Sequence, residues 1–297
     1  MSLLAQSLVN GLGQGAAYAL IAVGFVIIYK STYVISFAQP ALMAAGATAV
    51  ALLTVQGGFN FFVAVAITVV AAAALGFGIE RSILRPMVGK PVFIVAIITL
   101  GLDVVIRIIT NRFIGFEVRP MGDPWGLERT QVLGITFQHR HVAAFVTAGV
   151  ILALLYAFFQ YTRMGLAMRA AAFDQETALA QGVNVGTVFG LSWAFAAVLA
   201  AIAGVFIGAG STIDQGTWVV GLKALPAIIL GGLDSVPGAV IGGLAVGIVE
   251  ALFATYQSTY MPWLGSNFSV VAPYVLMLLV LMVRPYGLFG TPEVQRV

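Results

Sequence analysis

Cysteine is absent from the 297-residue chain. Disulfides, thiol catalysis and cysteine-ligated metal are therefore excluded, while the compartment stays undecided. Charge is scarce too: Asp, Glu, Lys and Arg make up 8% of residues, against about 25% in soluble domains. With so little charge there is no basic, aromatic-interleaved polar surface to hold RNA or DNA, and nucleic acid is not expected as a partner. Histidine occurs only as His139 and His141 flanking Arg140; no further ligand stands at fitting spacing, so no metal site is expected. HExxH is missing, and so is GxxxxGK[ST]. The one Gly-Lys pair, Gly89-Lys90, has neither the upstream Gly nor the following Ser/Thr. The chain is not its own P-loop ATPase. Lys and Arg are also missing from the first 29 residues, which removes the charged n-region of a cleavable signal peptide and suggests a retained first span.

Apolar residues fill the space that charge leaves. They form 61% of the chain, mean hydropathy is +1.04, and runs of about 20 residues, enough to cross a bilayer as helix, recur along it. The ten-residue alternation of a transmembrane β-barrel does not occur. The fold class expected is an all-α polytopic membrane protein, residues 1–297 as one transmembrane domain, with about nine (eight to ten) transmembrane segments and two broken helices. The spans read Leu8–Ile28, Thr32–Val55, Phe61–Ile79, Val92–Thr110, Val142–Tyr161, Phe189–Gly208, the short Trp218–Gly232, Gly238–Phe253 and Phe268–Val283. Gly11, Gly13, Gly15 and Gly24 give the first of these close-packing faces. Glu80 to Pro91 reads as a charged loop, 111–141 as the longest polar loop, and 210–216 as a small turn.

Pro40 interrupts the second segment, having no N–H to donate and biasing Gln39 away from α geometry; a non-helical piece over Ile35 to Gln39 is expected. Trp218–Gly232 reaches only about 22 Å as a helix and contains Lys223 and Pro226. Broken backbone in lipid survives where it lines a cavity or is buried in protein, and in transporters it marks the substrate site. Phe37, Gln39, Met43, Lys223 and Pro226 are the candidate path residues on this ground, with a packing kink as the alternative. Lys223 is expected to snorkel or to pair with Asp214, and Asp103 to pair with Arg107 four residues on. Gly231-Gly232-Leu233-Asp234 resembles a GxGD aspartyl-protease motif, but no second membrane Asp completes a dyad, so enzyme activity is not expected.

The polar break is Thr162 to Val188. It holds a helix-capable, alanine-rich run, Leu166 to Gln181, with Gly182 where a helix would end. Counting Lys and Arg along alternating spans puts Lys30, Arg81, Arg85, Lys90, Arg163, Arg169, Arg284 and Arg296 on one face. Arg112, Arg119, Arg129 and Arg140 fall on the other, in a loop that also carries acids such as Glu117. The positive-inside rule makes 162–188 and the C-terminus cytoplasmic, and the N-terminus and 111–141 extracytoplasmic.

Four stretches together resemble the permease subunits of branched-chain amino acid ABC importers. They are Gly11-Leu12 to Gly15 with Tyr18 to Gly24 and Ile28-Tyr29; Thr162 to Gly165 with Arg169-Ala170, Asp174 and Ala178 to Gly182; Gly221 to Ala224 with Ile229 to Ala239, Gly242-Gly243 and Glu250-Ala251; and Arg284 to Gly290. The resemblance covers nearly the whole chain. At the second-segment break the family commonly has Asn-Phe-Ala-His-Gly, whereas this chain has Ser36-Phe37-Ala38-Gln39-Pro40, which bears on the solute, since relatives also carry urea, short amides and other small molecules. The resemblance implies an ABC importer permease fold in a bacterial inner membrane and transport by alternating access. It also implies two cytoplasmic ATP-binding subunits, a second related permease forming a heterodimer, an extracytoplasmic solute-binding protein and no cofactor. The cytoplasmic stretch would then be a coupling element, with Arg163, Gly165, Arg169, Ala171, Asp174, Glu176 and Gly182 as its candidate residues. A stand-alone secondary transporter is the rival, with Asp103, Lys223 and Glu250 as its only coupling groups.

Overall fold

The computed structural model describes residues 2–115, 118–126, 128–132, 135–209, 211–265 and 267–291; Glu117, Arg296 and Gly210 of the sequence-based readings lie outside them. The protein is mostly helical: α1 (Ser2–Thr32), α2 (Gln39–Ala51), α3 (Phe61–Ile79), α4 (Val92–Ile114), α5 (His139–Tyr161), α6 (Arg163–Phe173), α7 (Gln175–Ala180), α8 (Val185–Gly208), α9 (Trp218–Gly221), α10 (Ala224–Gly231), α11 (Val236–Tyr260) and α12 (Ala272–Val283). Among the described residues, four short strands are the exception to an all-α fold. β1 (Arg119–Pro120) pairs antiparallel with β4 (Thr212–Ile213), with Arg119 opposite Ile213, and β2 (Arg129–Val132) with β3 (Ile135–Gln138), with Arg129 opposite Gln138. The β1–β4 pair joins the 111–141 connection to the turn after α8, while β2–β3 is a hairpin within that connection.

Seven helices among the described residues are long and apolar enough to cross a membrane, and the apolar segments Trp218–Gly231 and Ala272–Val283 are shorter. Nine spans were expected; seven are long enough to cross among the described residues, and the other two fall on the short segments. Several boundaries also move. Phe61–Ile79 stands as read, but the chain continues helically through Met87, first as a π turn and then as 3₁₀. The charged loop expected from Glu80 therefore begins later. Glu80 is buried, with Arg85 Nη2 at 3.0 Å, and the same guanidinium also donates to Gly186 O at the start of α8. The polar loop 111–141 likewise loses its ends to α4 and α5, so that both histidines sit in the first turn of α5.

Burial separates a centre from a rim. α1, α2, α8, α10 and α11 supply most of the buried apolar side chains, while α3, α4 and α5 leave Val70, Phe93, Ile108 and Leu154 uncovered. In a multi-pass membrane protein that apolar rim is the surface that hydrocarbon covers. Without a hydrophobic drive between helices in lipid, contact depends on how closely backbones approach. α1 and α11 meet through two small-xxx-small pairs, Gly11/Gly15 and Gly243/Gly247. A Cβ on Gly11 would stand 2.7 Å from Ile248 Cα, and one on Gly15 would stand 2.8 Å from Leu244 Cα. Of the other two glycines singled out, Gly24 faces Ala196 of α8 and Gly13 faces His141 of α5.

Candidate functional site

The chain leaves helix after Thr32 and resumes at Gln39, with Pro40 in the first turn of α2, where its missing N–H costs nothing. Phe37 is held there by its backbone amide, which donates to Thr99 Oγ1 of α4 at 3.1 Å. Gln39 is 0% exposed, and neither amide atom has a partner among the described residues; Ser36 Oγ, also buried, is in the same state. A buried polar group left unpaired costs about 1–3 kcal/mol. Two such side chains three residues apart, at the break itself, are a conflict with stability that packing does not explain.

The second interrupted segment lies against the first. α9 and α10 part at Leu222–Lys223, and Pro226 falls in the first turn of α10. Gly221 lets α9 onto the start of α2: a Cβ there would be 2.9 Å from Pro40 Cα and 3.4 Å from Met43 Cε. Met43 is buried at this contact, and Pro226 is buried within α10. Close by, Asp103 Oδ2 pairs with Arg107 Nη2 at 2.6 Å, as the four-residue spacing predicts, and the guanidinium carbon stands 4.0 Å from the centre of the Trp218 ring. Lys223 departs from expectation. It is 7% exposed, does not snorkel, and bonds Glu250 Oε1 of α11 at 2.5 Å, while Tyr18 of α1 donates to Glu250 Oε2 at 2.8 Å. Asp214 is occupied elsewhere, accepting from the Gly216 amide at 2.8 Å within its own turn. The structure sets Met43 of α2 against Gly221 of α9 and anchors Phe37 on α4, whereas Lys223 turns to Glu250 of α11 and Tyr18 of α1, so the five candidate residues are not gathered around one contact.

At the opposite end from the strands, Thr162 to Val188 folds as a helical hairpin. A single helix over Leu166 to Gln181 was expected; the structure divides it at Asp174. Asp174 leaves helical geometry (φ −156°, ψ 110°), and its Oδ1 accepts from the Glu176 and Thr177 amides at 3.0 Å each. Thr177 Oγ1 donates to Oδ2 at 2.7 Å. Asp174-x-x-Thr177 is therefore an N-cap signature inside what had read as continuous helix. The hydrogen bonds, the Thr177 amide first, hold the Asp174 carboxyl below its ordinary pKa. Gly182, at φ 84°, closes α7 as expected: its amide donates to Leu179 O and that of Val183 to Ala178 O, a Schellman pattern.

Burial sorts the hairpin residues. Gly165 and Ala171 (0% exposed) face inward, Gly165 lying on the end of α5, so they seat the hairpin on its own chain. Arg163, Arg169, Asp174, Glu176 and Gly182 are exposed. Three apolar residues that sequence reasoning passed over join them: Phe173 (91% exposed), Leu166 and Leu179. The signal was available, because these large side chains stand in a run otherwise made of alanine and charge.

A family model described as branched-chain amino acid transport system / permease component matches residues 7–281. The chain is 30% identical over 306 residues to the high-affinity branched-chain amino acid transport system permease protein LivH of Escherichia coli (strain K12), covering 98% of this chain and 97% of that one. Identity, span and coverage are the same for the corresponding BraD protein of Pseudomonas aeruginosa. A solved structure of PsaBC from Streptococcus pneumoniae in complex with Fab matches 96% of this chain and 93% of its own at a TM-score of 0.50 and 15% identity, a likeness of fold alone. With a family model spanning almost the whole chain and relatives aligned end to end, this multi-pass membrane protein belongs to the permease components of branched-chain amino acid transport systems.

Proposed function

We propose that the chain is the membrane-spanning translocation subunit of an ATP-driven importer, moving a branched-chain or related amino acid inward by alternating access. One observation carries the reading: a polar hairpin, seated on its own chain by Gly165 and Ala171, turns Phe173, Leu166 and Leu179 outward among Arg163, Arg169, Asp174 and Glu176. An apolar anchor rimmed by charge is the anatomy of a protein-binding surface, and the occupant proposed is a cytoplasmic ATP-binding subunit. Two of these, a second related permease in a heterodimer and an extracytoplasmic solute-binding protein complete the assembly. The N-terminus is assigned outside, with the hairpin and C-terminus in the cytoplasm. The short segments Trp218–Gly231 and Ala272–Val283 are counted as membrane-inserted, which restores nine.

The solute path is assigned to the junction of the two interrupted segments, where Gln39 and Ser36 lack partners. A second solute class, urea or a short amide, is favoured by one feature, the Ser36-Phe37-Ala38-Gln39-Pro40 break, whose amide and hydroxyl suit a small polar guest. The secondary-transporter alternative is weakened because Asp103 and Glu250 are each already paired. The docking face is tested with Phe173→Ser. The side chain is almost free of its own chain, so membrane insertion and folding should be unaltered. Retention of the ATP-binding subunit on co-purification should fall more than tenfold, the worth of an interface hot spot. Wild-type retention would sink the reading.

A further inference from the structure

The residue that ends α1 is unusual. Tyr33 has φ 56°, a left-handed position that ordinarily falls to glycine or asparagine at a helix C-terminus. Its amide donates to Tyr29 O at 2.7 Å and closes the helix. Glycine would do this without strain. What tyrosine adds is a hydroxyl, and that hydroxyl donates to Ala172 O, in the last turn of α6, at 3.1 Å. A second bond runs the other way: Gln175 Nε2, at the first residue of α7, donates to Ser31 O, in the last turn of α1, at 2.8 Å. The final carbonyls of a helix have no partner within it, so each segment satisfies an orphan carbonyl of the other. The two bonds bracket Asp174, the joint of the hairpin. Behind them is a cavity of 110 Å³ bordered by Gln175, Thr32 and Val34 on one side and the buried Glu80 on another.

We infer that Tyr33 and Gln175 form a two-bond yoke through which displacement of the α6–α7 hairpin reaches the break at 33–38, so that the pair sets how much solute moves per ATP. This rests on the docking reading above and deepens it. Both are positioning residues, touching neither solute nor nucleotide. If the ATP-binding subunits push on the exposed face of the hairpin, the yoke delivers that motion to the end of the break opposite Gln39. The strain at Tyr33 is then the consequence of placing a hydroxyl where glycine would have sufficed.

The test uses the complete importer in proteoliposomes, with labelled leucine as probe. Uptake and ATP hydrolysis are measured on the same vesicles for Tyr33→Phe, Gln175→Glu and the double variant. Uptake per ATP should fall about two- to tenfold for each single change, the scale of one hydrogen bond's net contribution, while ATP hydrolysis continues. Gln175→Lys, which keeps a donor, should recover much of the ratio. An unchanged ratio overturns the inference, since a merely structural pair would lower uptake and hydrolysis together. Loss of the ATP-binding subunits from the variants also overturns it, because the side chains would then belong to the docking face. A readout independent of the solute uses the absence of native cysteine: a fluorophore on Ile35→Cys reports the break directly. Its nucleotide-driven change should shrink when Tyr33→Phe is added, and a full-sized change would count against the yoke. Failure of Phe173→Ser to release the ATP-binding subunit strikes the docking reading instead, and leaves this ratio to be judged separately.

Discussion

Gln39→Met should make the protein more stable and less active. The swap is nearly volume-conserving, so repacking should cost less than about 1.5 kcal/mol. It removes an amide whose nitrogen and oxygen are both buried and unpartnered. Each unmade bond costs about 1–3 kcal/mol, so relief at both atoms, less the repacking cost, gives a net gain of about 0.5–6 kcal/mol. Thermal aggregation in detergent, followed by size-exclusion chromatography, should therefore move to higher temperature. Uptake in the reconstituted importer should fall, because the same two atoms are those offered to a passing solute or its water. Opposite signs in the two assays are the diagnostic. Methionine in a purely structural position would raise stability and leave uptake alone, refuting the path assignment. A lower midpoint would show that the amide has a partner after all, and the argument from unpaired groups would collapse with it.

Lys223→Met should be strongly destabilising, by about 3–5 kcal/mol, since it strands Glu250 with a single phenol donor; Lys223→Met with Glu250→Met should recover most of that loss, read from the same chromatographic midpoint. Recovery absent from the double variant would mean that the two residues are not each other's partner. Acid should loosen the hairpin at Asp174. Its folded pKa is depressed, so the cap's contribution is complete above the ordinary carboxylate value of about 3.9 and is lost as pH falls through the lower folded value. Amide exchange at Glu176 and Thr177 should accelerate across that window in wild type and be insensitive to it in Asp174→Asn; a flat wild-type profile would contradict the cap.

Where local chemistry dictates the backbone, sequence and structure agree. Pro40 falls in the first turn of α2, although the helix begins one residue earlier than expected, at Gln39; Gly182 offers φ above zero, and α7 ends on it. The Asp103–Arg107 pair follows from four-residue spacing alone. Disagreement begins where a partner lies far along the chain. Glu80 and Arg85 looked like loop residues because the carbonyl that completes their site, Gly186 O, belongs to α8. Lys223 was matched to the nearest acid, whereas α10 packs on α11 and delivers Glu250 from 27 positions away. The inward faces of Gly165 and Ala171 depend on how α6 settles against α5 and α8, which alanine-rich sequence leaves open. The Asp174 cap and the outward Phe173, Leu166 and Leu179 were local and still missed.

The glycine-to-glycine crossing of α1 and α11 has a consequence for biogenesis. α1 is the most enclosed of the long helices, 89% buried over its most apolar window, yet its principal partner emerges from the ribosome only after most of the chain. Insertion proceeds in order, span by span, but α1 then waits in the bilayer with its small-residue stripe facing lipid until α11 arrives. Only the α11 side of α1 is left waiting, because α5 and α8, which cover its other faces, come earlier in the chain. Chains interrupted before α11 should integrate into the membrane and still be cleared as unassembled by membrane quality-control proteases.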